Sequence, residues 1–441
     1  MSVLRSSEVA ERPGDRASLT GDSFALAEQS QPNRRFLDRT LRGLVWRRFE
    51  KLEHGTITVD DGGERHEFGR PGEGAPAAEI KIRDARCFRH LVFGGGLGAA
   101  EAYIRGYWTC NDLVSLVRIF CQNAALSSGL EGGPARLLSP LVRMGHWLRR
   151  NTSSGSRRNI AAHYDLGNEF FALFLDQSMA YSCALFPRAD STLDEASTAK
   201  FDRICRKLDL TPDDHVLEIG TGWGGFALYA AQHYGCRVTT TTISRKQYEY
   251  SRQQVAAAGL AGRVSVLNED YRALPGSYDK LVSIEMIEAV GHQYFDTYFR
   301  LCSQRLKPHG MMLLQAIVIP DQRYDRYRRS VDFIQRYIFP GGCLPSVGAI
   351  CNSLRRVTDL RLFHLEDITS HYADTLALWR QRFRTNREQV RDLGFSEEFI
   401  RTWEYYFCYC EGGFRESAIG DVQMLLTKPA CRRSSILPAL Q

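Results

Sequence analysis

The chain has 441 residues, which is enough for two or three domains. Hydrophobic residues make up 44% of it and charged residues 24%, which is typical of a globular protein, and no apolar stretch approaches the roughly 18 to 20 residues that a membrane-spanning helix needs. The net charge is +6, and the twelve cysteines include no metal-type CxxC pair, so we expect neither a disulfide framework nor a metal site, but reduced thiols in the cytoplasm.

The first part of the chain predicts a tail and a small folded domain. Residues 1–35 are polar and contain Gly, Pro and Ser, so we expect a disordered tail without a signal peptide. Residues 36–123 are predicted to form an α+β accessory domain. In it, GTITVDDGGERHEFG predicts two strands around a turn and AEIKIRD a third strand. LGAAEAYIRGYWTCNDLVSLVRIF predicts two helices, with Asn111 or Asp112 as the N-cap of the second.

Residues 124–158 predict a basic linker with one amphipathic helix. Apolar residues recur there at helical spacing, and arginines are interspersed among them. The apolar positions are Leu137, Leu141, Met144 and Leu148, and the arginines are Arg136, Arg143, Arg149 and Arg150. Such a helix can pack on its own protein or lie in a lipid interface, and the basic run can be a solvated linker or a contact with an anionic surface.

Residues 159–430 predict a second, larger domain in which strands and helices alternate, and residues 431–441 a C-terminal tail. The predicted strands are VLEIG, CRVTTTTI, RVSVL, YDKLVSIE and GMMLLQAIVI. The predicted helices are WGGFALYAAQHYG, SRKQYEYSRQQVAAAG and HQYFDTYFRLCSQRLK. This βαβα order predicts an α/β fold with a doubly wound, mostly parallel sheet, whose ligands bind beyond the carboxyl ends of the strands.

A glycine-rich loop follows the first of these strands. Its sequence, GTGWGG from Gly220 to Gly225, also fits the G-x-G-x-x-G pattern of dinucleotide sites. An NAD site would place an acid about 20 residues on, where this chain has Thr241, Thr242 and Ile243. Glu218 instead stands two residues before the loop, where it can face the cationic methionine end of S-adenosyl-L-methionine. The pattern therefore favours S-adenosyl-L-methionine over NAD or over a turn without a ligand.

Five further blocks carry a family resemblance that runs from about residue 87 to the C-terminus. The blocks are HYDLGNEFFALFLDQSMAYSCALF, VSIEMIEAVGHQYFDTYF, RYIFPGGCLP, HYADTLALWRQRF and WEYYFCYCEGGFRE. They resemble cyclopropane-fatty-acyl-phospholipid synthases, and also mycolic acid cyclopropane synthases and fatty acid methyltransferases that make methyl or methylene branches. The resemblance implies a seven-stranded, Rossmann-like methyltransferase domain behind a smaller lipid-binding domain.

The resemblance implies a reaction and a site for it. The cis double bond of an unsaturated phospholipid acyl chain takes the sulfonium methyl group, and a bicarbonate ion assists loss of a proton as a cyclopropane ring closes. Bicarbonate would be bound by Cys183, Glu288, Gln315, Ile317 and Tyr372. Gln315 stands where the best-known bacterial members have histidine; glutamine can hydrogen bond to an anion but cannot take up a proton. Plant-type members share this LLQ sequence, so ring formation is not excluded.

The resemblance also implies the residues that bind the cofactor. They are Tyr181, Ser182, Gly220, Thr221, Gly222, Gly224, Thr242, Gln247 and Asp270. Glu269 or Asp270 could bind the adenine amino group. Cys410 matches a cysteine long regarded as an active-site residue, although an electrophilic sulfonium needs no covalent enzyme intermediate. Glu285, three residues before Glu288, can be functional or simply solvated.

We expect the substrate and partner to be membrane phospholipid with unsaturated chains, reached by salt-sensitive peripheral contact at the inner face of the cytoplasmic membrane. The resemblance implies a homodimer, and no nucleic acid partner is expected. Three alternatives remain open from the sequence. They are a methyltransferase for RNA or a small metabolite, a non-enzymatic lipid- or cofactor-binding module, and a fatty acid methyltransferase that makes a methyl or methylene branch.

Overall fold

The computed structural model describes residues 31–123 and 166–436, with side chains from Asp38 onward. Within these ranges an N-terminal unit, residues 31–123, packs against a C-terminal unit, residues 166–436. The predicted linker and its amphipathic helix lie outside the described residues, and so do residues 1–30 of the predicted tail. A helix already begins at Gln31, inside the segment predicted as a tail.

Strands and helices alternate along the C-terminal unit as the sequence predicts. The strands are β1 (Gly55–Asp61), β2 (Glu64–Arg70), β3 (Ala77–Ile82), β4 (Trp108–Cys110), β5 (His215–Ile219), β6 (Arg237–Thr241), β7 (Val264–Leu267), β8 (Tyr278–Ile284), β9 (Leu306–Val318), β10 (Arg361–Asp367) and β11 (Gly420–Thr427). The helices are α1 (Gln31–Phe49), α2 (Arg86–Ile104), α3 (Leu113–Gln122), α4 (Asn168–Ala172), α5 (Leu193–Leu208), α6 (Gly225–Tyr234), α7 (Arg245–Ala257), α8 (Phe295–Arg305), α9 (Asp321–Tyr327), α10 (Val347–Val357), α11 (Thr369–Thr385), α12 (Arg387–Asp392) and α13 (Glu397–Arg415).

The described part of the N-terminal unit contains a sheet of four strands in the order β2-β1-β3-β4. β1 and β2 form the predicted antiparallel hairpin, while β3 runs parallel to β1. Side chains alternate between the two faces of a strand, and Ile57 and Val59 of β1 point into the core. The Asp112 carboxylate caps α3 by accepting from the Ser115 amide, as predicted. The short strand β4 was not predicted, and α2 begins at Arg86, before the predicted helix.

The described part of the C-terminal unit contains a larger sheet of seven strands in the order β10-β11-β9-β8-β5-β6-β7. β5 to β9 are parallel to one another, and β11 is antiparallel to both β9 and β10. The α/β fold with a mostly parallel sheet is thus confirmed, and the five predicted strands are all present. The carboxyl ends of β5 to β9 meet at one edge of the sheet, where the functional side chains collect.

The helix α13 joins the two units. It packs against α11 of the C-terminal unit and against α2 and α3 of the N-terminal unit. Most of its aromatic residues, including Trp403 and Phe407, are buried, because this helix contacts neighbours on both sides. Arg401 on α13 donates hydrogen bonds to the backbone carbonyls of Tyr103 and Trp108. The buried aromatic residues of α13 therefore form core, and Tyr405 among them packs against Tyr103 of the N-terminal unit.

Candidate active site

One cavity of about 2270 Å³ extends from the carboxyl edge of the larger sheet to α2 of the N-terminal unit. It is lined by the glycine-rich loop at one side, by aromatic residues of α13, and by the glycine-rich middle of α2. Ligand pockets for drug-sized molecules measure about 300 to 1,000 Å³. The cavity therefore has room for a nucleoside cofactor together with a long apolar chain.

The glycine-rich loop turns from β5 into α6 at this cavity. Gly220, Gly222 and Gly224 have φ angles of 102°, 53° and 94°, in the left-handed region that favours glycine. A Cβ atom on Gly220 would lie 3.1 Å from the Met286 side chain, so this position also needs the small residue. Of the loop residues predicted to bind the cofactor, Gly220, Thr221 and Gly222 line the cavity, whereas Gly224 caps α6 and the neighbouring Gly225 faces the cavity.

Glu218, at the end of β5, faces the cavity and is only 2% exposed. Its Oε2 atom accepts a hydrogen bond of 2.5 Å from the Thr240 hydroxyl. Burial raises the pKa of the Glu218 carboxyl to about 8, because one donor does not replace the lost hydration of the charge. A cationic group beside it would restore the charged form, as the methionine end of S-adenosyl-L-methionine would.

The other predicted cofactor residues surround the loop. The Thr242 hydroxyl donates to Gln247 Oε1 at 2.9 Å, and both residues line the cavity. The Tyr181 hydroxyl donates to the Tyr406 hydroxyl at 3.0 Å. Ser182 Oγ accepts a hydrogen bond of 2.6 Å from the buried Lys200 ammonium, a residue that the sequence analysis did not single out.

Two acids lie at the end of β7, as predicted. Glu269 and Asp270 both line the cavity. The Asp270 carboxylate accepts two hydrogen bonds from the Arg272 guanidinium, at 2.8 and 2.6 Å, so it is engaged with a neighbour where the sequence predicted an adenine contact. With the glycine loop, the buried Glu218 and these acids, the residues present fit S-adenosyl-L-methionine.

A second cluster lies where β8 and β9 end, centred on the Glu285 carboxylate. Oε1 accepts hydrogen bonds from the Cys183 amide at 2.7 Å and from Gln315 Nε2 at 2.8 Å. Oε2 accepts a hydrogen bond of 2.6 Å from the Tyr372 hydroxyl. These contacts bring together residues that are 102, 30 and 87 positions away from Glu285 in the sequence.

Glu288 faces the same cavity one turn later. Its Oε1 atom accepts a hydrogen bond of 2.6 Å from the Ile317 amide. Among the described residues, its buried Oε2 atom has no hydrogen-bond partner. Burial, and then the charge of Glu285, raise the pKa of the Glu288 carboxyl to about 8, so it is largely protonated at neutral pH.

This geometry does not fit bicarbonate in the predicted position. The predicted donors Cys183, Gln315 and Tyr372 are engaged with Glu285, and the Ile317 amide donates to Glu288. The Cys183 and Gln315 side chains lie outside the cavity lining among the described residues, whereas Glu285 forms part of it. The physical reason is that the Glu285 carboxylate itself accepts hydrogen bonds from the predicted anion donors. The sequence leaves this residue as either functional or solvated.

A chain of hydrogen bonds from Lys207 through Gln423 reaches the side chain of Gln315. Lys207 Nζ donates to Gln423 Oε1 at 2.7 Å, and Gln423 Nε2 donates to Gln315 Oε1 at 3.0 Å. Gln315 Nε2 is also 3.2 Å from Asp421 Oδ2. Lys207, Asp421 and Gln423 were missed from the sequence. The available signal was that Asp421 and Gln423 are polar residues two apart in the otherwise apolar strand DVQMLL, and therefore share one face.

The two predicted cysteines have thiols that remain protonated. Burial raises the pKa of both the Cys183 and the Cys410 thiol, and a neutral thiol is a weak nucleophile. The Cys183 thiol donates to the Ala184 carbonyl at 3.1 Å, so this residue contributes to the cluster through its backbone amide. Cys410 lines the cavity on α13 beside aromatic residues.

Comparison with known proteins places the site in a family. Residues 151–424 match the family model described as mycolic acid cyclopropane synthetase. The chain is 39% identical to tuberculostearic acid methyltransferase UfaA1 of Mycobacterium tuberculosis (strain ATCC 25618 / H37Rv), over 80% of this chain and 84% of that protein. It is 36% identical to cyclopropane-fatty-acyl-phospholipid synthase of Escherichia coli (strain K12), over 80% of this chain and 89% of that protein.

Solved structures agree with this placement. Mycolic acid cyclopropane synthase CmaA1, in complex with SAH and CTAB, is 33% identical and superposes with a TM-score of 0.58, covering 62% of this chain and 98% of that one. In the described ranges, no helix has the length and apolar character required to cross a membrane. The same ranges contain no group of three His, Cys, Asp or Glu residues placed to hold a metal ion.

Proposed function

The chain belongs to the mycolic acid cyclopropane synthetase family of S-adenosyl-L-methionine-dependent C-methyltransferases, and from this premise we propose that it makes cyclopropane fatty acids on phospholipids. In this proposal a methyl group is transferred to the cis double bond of an unsaturated acyl chain, and a proton is lost as the ring closes. The relative from E. coli that is named for this activity matches 80% of the chain.

The observation that carries the proposal is the continuity of the cavity. The glycine-rich loop, the carboxylates Glu285 and Glu288, and the aromatic face of α13 all line one space that reaches the N-terminal unit. A small polar substrate would not need the apolar length of this cavity. A membrane-derived acyl chain would need it, because its double bond lies far from the headgroup.

The residues present account for each requirement of the reaction. When bound, S-adenosyl-L-methionine supplies an electrophilic methyl group. Glu218 would attract its cationic methionine end, and Thr242 and Gln247 would contact its nucleoside. The apolar walls exclude water, which would otherwise capture a carbocation on the acyl chain. Tyr181 and Phe339 line the cavity, and the faces of aromatic rings can stabilise positive charge near them.

We further propose that the chain reaches its substrate by peripheral contact with anionic membrane, at the inner face of the cytoplasmic membrane. Exposed arginines from both units line the cavity, which supports recognition of anionic headgroups. They are Arg86, Arg105, Arg323, Arg326 and Arg329. A homodimer through the smaller, N-terminal unit also remains a proposal from the family resemblance.

Analysis of lipids from a bacterial host that expresses the chain tests the proposed product. We expect phospholipid acyl chains that are heavier by one CH₂ group, with the upfield proton signals of a cyclopropane ring in NMR spectra. An exocyclic methylene or a methyl branch would instead identify a branching fatty acid methyltransferase. Acyl chains unchanged from those of the host with an empty vector would contradict the proposed function.

A further inference from the structure

We propose that the Glu285 carboxylate is itself the base that accepts the proton from the alkylated acyl chain, in place of a free bicarbonate ion. The inference rests on the proposed function, because it assigns a residue to one step of that reaction. It follows from the misfit between the predicted bicarbonate donors and the contacts that they make in the structure.

The hydrogen bonds around Glu285 form a complete anion site. The Cys183 amide, Gln315 Nε2 and the Tyr372 hydroxyl approach the two carboxylate oxygens within 2.6 to 2.8 Å. A buried anion requires several such donors, and one carboxylate already uses all three. A second anion there would have no donors and would be repelled by the first. The site therefore holds one negative charge, and the protein provides it.

The backbone of Glu285 is held in an unusual conformation that brings the carboxylate into this position. Its φ angle is 47°, in the left-handed region that non-glycine residues seldom adopt. The Glu285 amide donates to the Gln315 carbonyl at 2.9 Å, which ties the turn to the end of β9. A residue retained in such a conformation is stabilised by its surroundings, and such residues cluster at functional sites.

The chain from Lys207 fixes the orientation of the Gln315 amide. An ammonium group can only donate, so Gln423 must present its oxygen to Lys207 and its NH₂ group to Gln315. Gln315 must then present its NH₂ group to Glu285. A glutamine in this place donates to the base without competing for the proton, as a histidine could.

Among the three neighbouring carboxyl groups, the surroundings favour ionisation of Glu285 over ionisation of Glu288 or Asp421. Facing it are the carboxyls of Glu288 and Asp421, the Tyr372 hydroxyl, the Cys183 thiol and the buried Lys200 ammonium. Burial and the charge of Glu285 raise the pKa of Asp421 well above its usual range, so Asp421 keeps its proton. Burial also raises the pKa of Glu285, but three donors and the charge of Lys200 oppose that rise.

The proposed step is balanced in atoms and electrons. A C–H bond of the methyl group newly attached to the acyl chain breaks, and its electron pair forms the last C–C bond of the ring at the cationic carbon. The proton passes to Glu285. Oε2 is the oxygen suited to receive it, since it accepts one hydrogen bond where Oε1 accepts two. The acyl chain leaves neutral, and Glu285 releases the proton to solvent before the next turnover.

Substitution of Glu285 in buffers with and without bicarbonate tests the proposal. The purified full chain is assayed with labelled S-adenosyl-L-methionine and vesicles of unsaturated phospholipid, either in CO₂-free buffer or with bicarbonate added. We expect the wild-type rate to be the same in both buffers. Glu285→Gly should lose at least about a hundredfold in CO₂-free buffer, in line with loss of a general base. Added bicarbonate should raise the rate of this variant at least about tenfold, because a free anion can now use the vacated donors.

Glu285→Gln keeps the shape of the side chain and fills the site, so it should be inactive and bicarbonate should not rescue it. Glu73→Gly, in an exposed loop, is the matched control and should behave as wild type. Calorimetric binding of S-adenosyl-L-methionine shows that each variant is folded. If Glu285→Gly failed that check, the folded Glu285→Gln variant alone would decide by its activity in CO₂-free buffer.

Two results would overturn the inference alone. One is a wild-type enzyme that methylates lipid only with added bicarbonate, and the other is a Glu285→Gln variant that stays active in CO₂-free buffer. A wild-type enzyme that binds the methyl donor but methylates no lipid in either buffer would remove the proposed function, and this inference with it.

Discussion

Glu218 shows how a single buried side chain can couple cofactor binding to pH. Its raised pKa, about 8, means that the carboxyl is mostly protonated at pH 7 before a cation binds beside it. Binding of a cationic ligand favours the ionised form, so the proton must leave on binding. The same burial that makes the charge unfavourable in the free protein therefore makes the site selective for a cation.

We predict that the affinity for S-adenosyl-L-methionine rises with pH up to about 8 and then levels off. The slope is at most about tenfold per pH unit, because one proton is released. Calorimetry in buffers of different ionisation enthalpy measures this proton directly. Glu218→Gln should bind more weakly at pH 8 and should show a flatter profile. An unchanged profile in this variant would mean that Glu218 does not contact the cationic end.

The raised pKa of Glu288 predicts that the stability of the ligand-free protein depends on pH. This pKa is about 8 in the folded state and close to the ordinary glutamate value of 4.5 when unfolded. Below pH 4.5 both states are protonated, so burial of Glu288 costs little. Between pH 4.5 and 8 the unfolded state loses the proton first, so the free energy of unfolding falls as pH rises.

Glu288→Gln removes this titration, and the variant should gain stability relative to wild type between pH 5 and pH 8. The gain is on the order of several kcal/mol at most, from 1.36 kcal/mol per pKa unit. Urea unfolding at the two pH values measures it. Glu388→Gln makes the same change at an exposed position and is the matched control, which should show no such gain. A constant difference between wild type and Glu288→Gln across this range would contradict the assigned burial.

At the scale of elements, α13 provides much of the packing in the core of the C-terminal unit. Trp403 is 2% exposed and its ring packs edge-on against Phe170, with centroids 4.7 Å apart. Trp403→Ala should reduce the free energy of unfolding by about 3–5 kcal/mol, as large-to-small core substitutions do. Leu393→Ala, at a position that is 44% exposed, should change it by less than about 0.5 kcal/mol. Similar values for the two variants in urea unfolding would contradict this role for α13.

The sequence predicts β5 to β9 well, because each is a short β-branched or apolar run between clear helix signals. Ser244 at the start of α7, for example, accepts from the Gln247 amide as an N-cap should. β10 and β11 were not predicted. β11 carries Asp421 and Gln423 inside an apolar run, and their polarity is explained only by contacts with Gln315 from another strand.

In the candidate site, too, the sequence reveals local features but not contacts between distant segments. The glycine loop, Glu218 and the Thr242–Gln247 pair are local features that a motif reveals. The environment of Glu285 is not local, because its donors come from three distant segments that only the folded sheet brings together. The backbone conformation that turns Glu285 inward likewise has no signal in residue order alone.

At the scale of the whole molecule, the distribution of charge predicts how the chain meets a membrane. Arg323, Arg326 and Arg329 are exposed, lie on or next to α9, and line the cavity that would receive the acyl chain. Contacts of this kind contribute about 1 kcal/mol per basic residue near an anionic surface and are screened by salt. Access to lipid should thus depend on ionic strength although cofactor binding does not.

We predict that changing these three arginines to Gln weakens binding to vesicles that contain anionic lipid by at least about tenfold at low salt. Co-sedimentation at low and high salt measures this. Arg237→Gln and Arg245→Gln together, at exposed positions outside the described cavity lining, form the matched control and should bind as wild type. Equal binding by the triple variant and wild type at low salt would place the membrane contact elsewhere.

The account depends most on the claim that the cavity brings a methyl donor to an unsaturated acyl chain. The direct test is transfer of label from methyl-labelled S-adenosyl-L-methionine by the purified chain, with phospholipid vesicles and RNA offered in one reaction. We predict label in the acyl chains of unsaturated phospholipid, and none in saturated phospholipid or RNA. Label in RNA, or no transfer to lipid by a chain that binds the donor, would contradict the account.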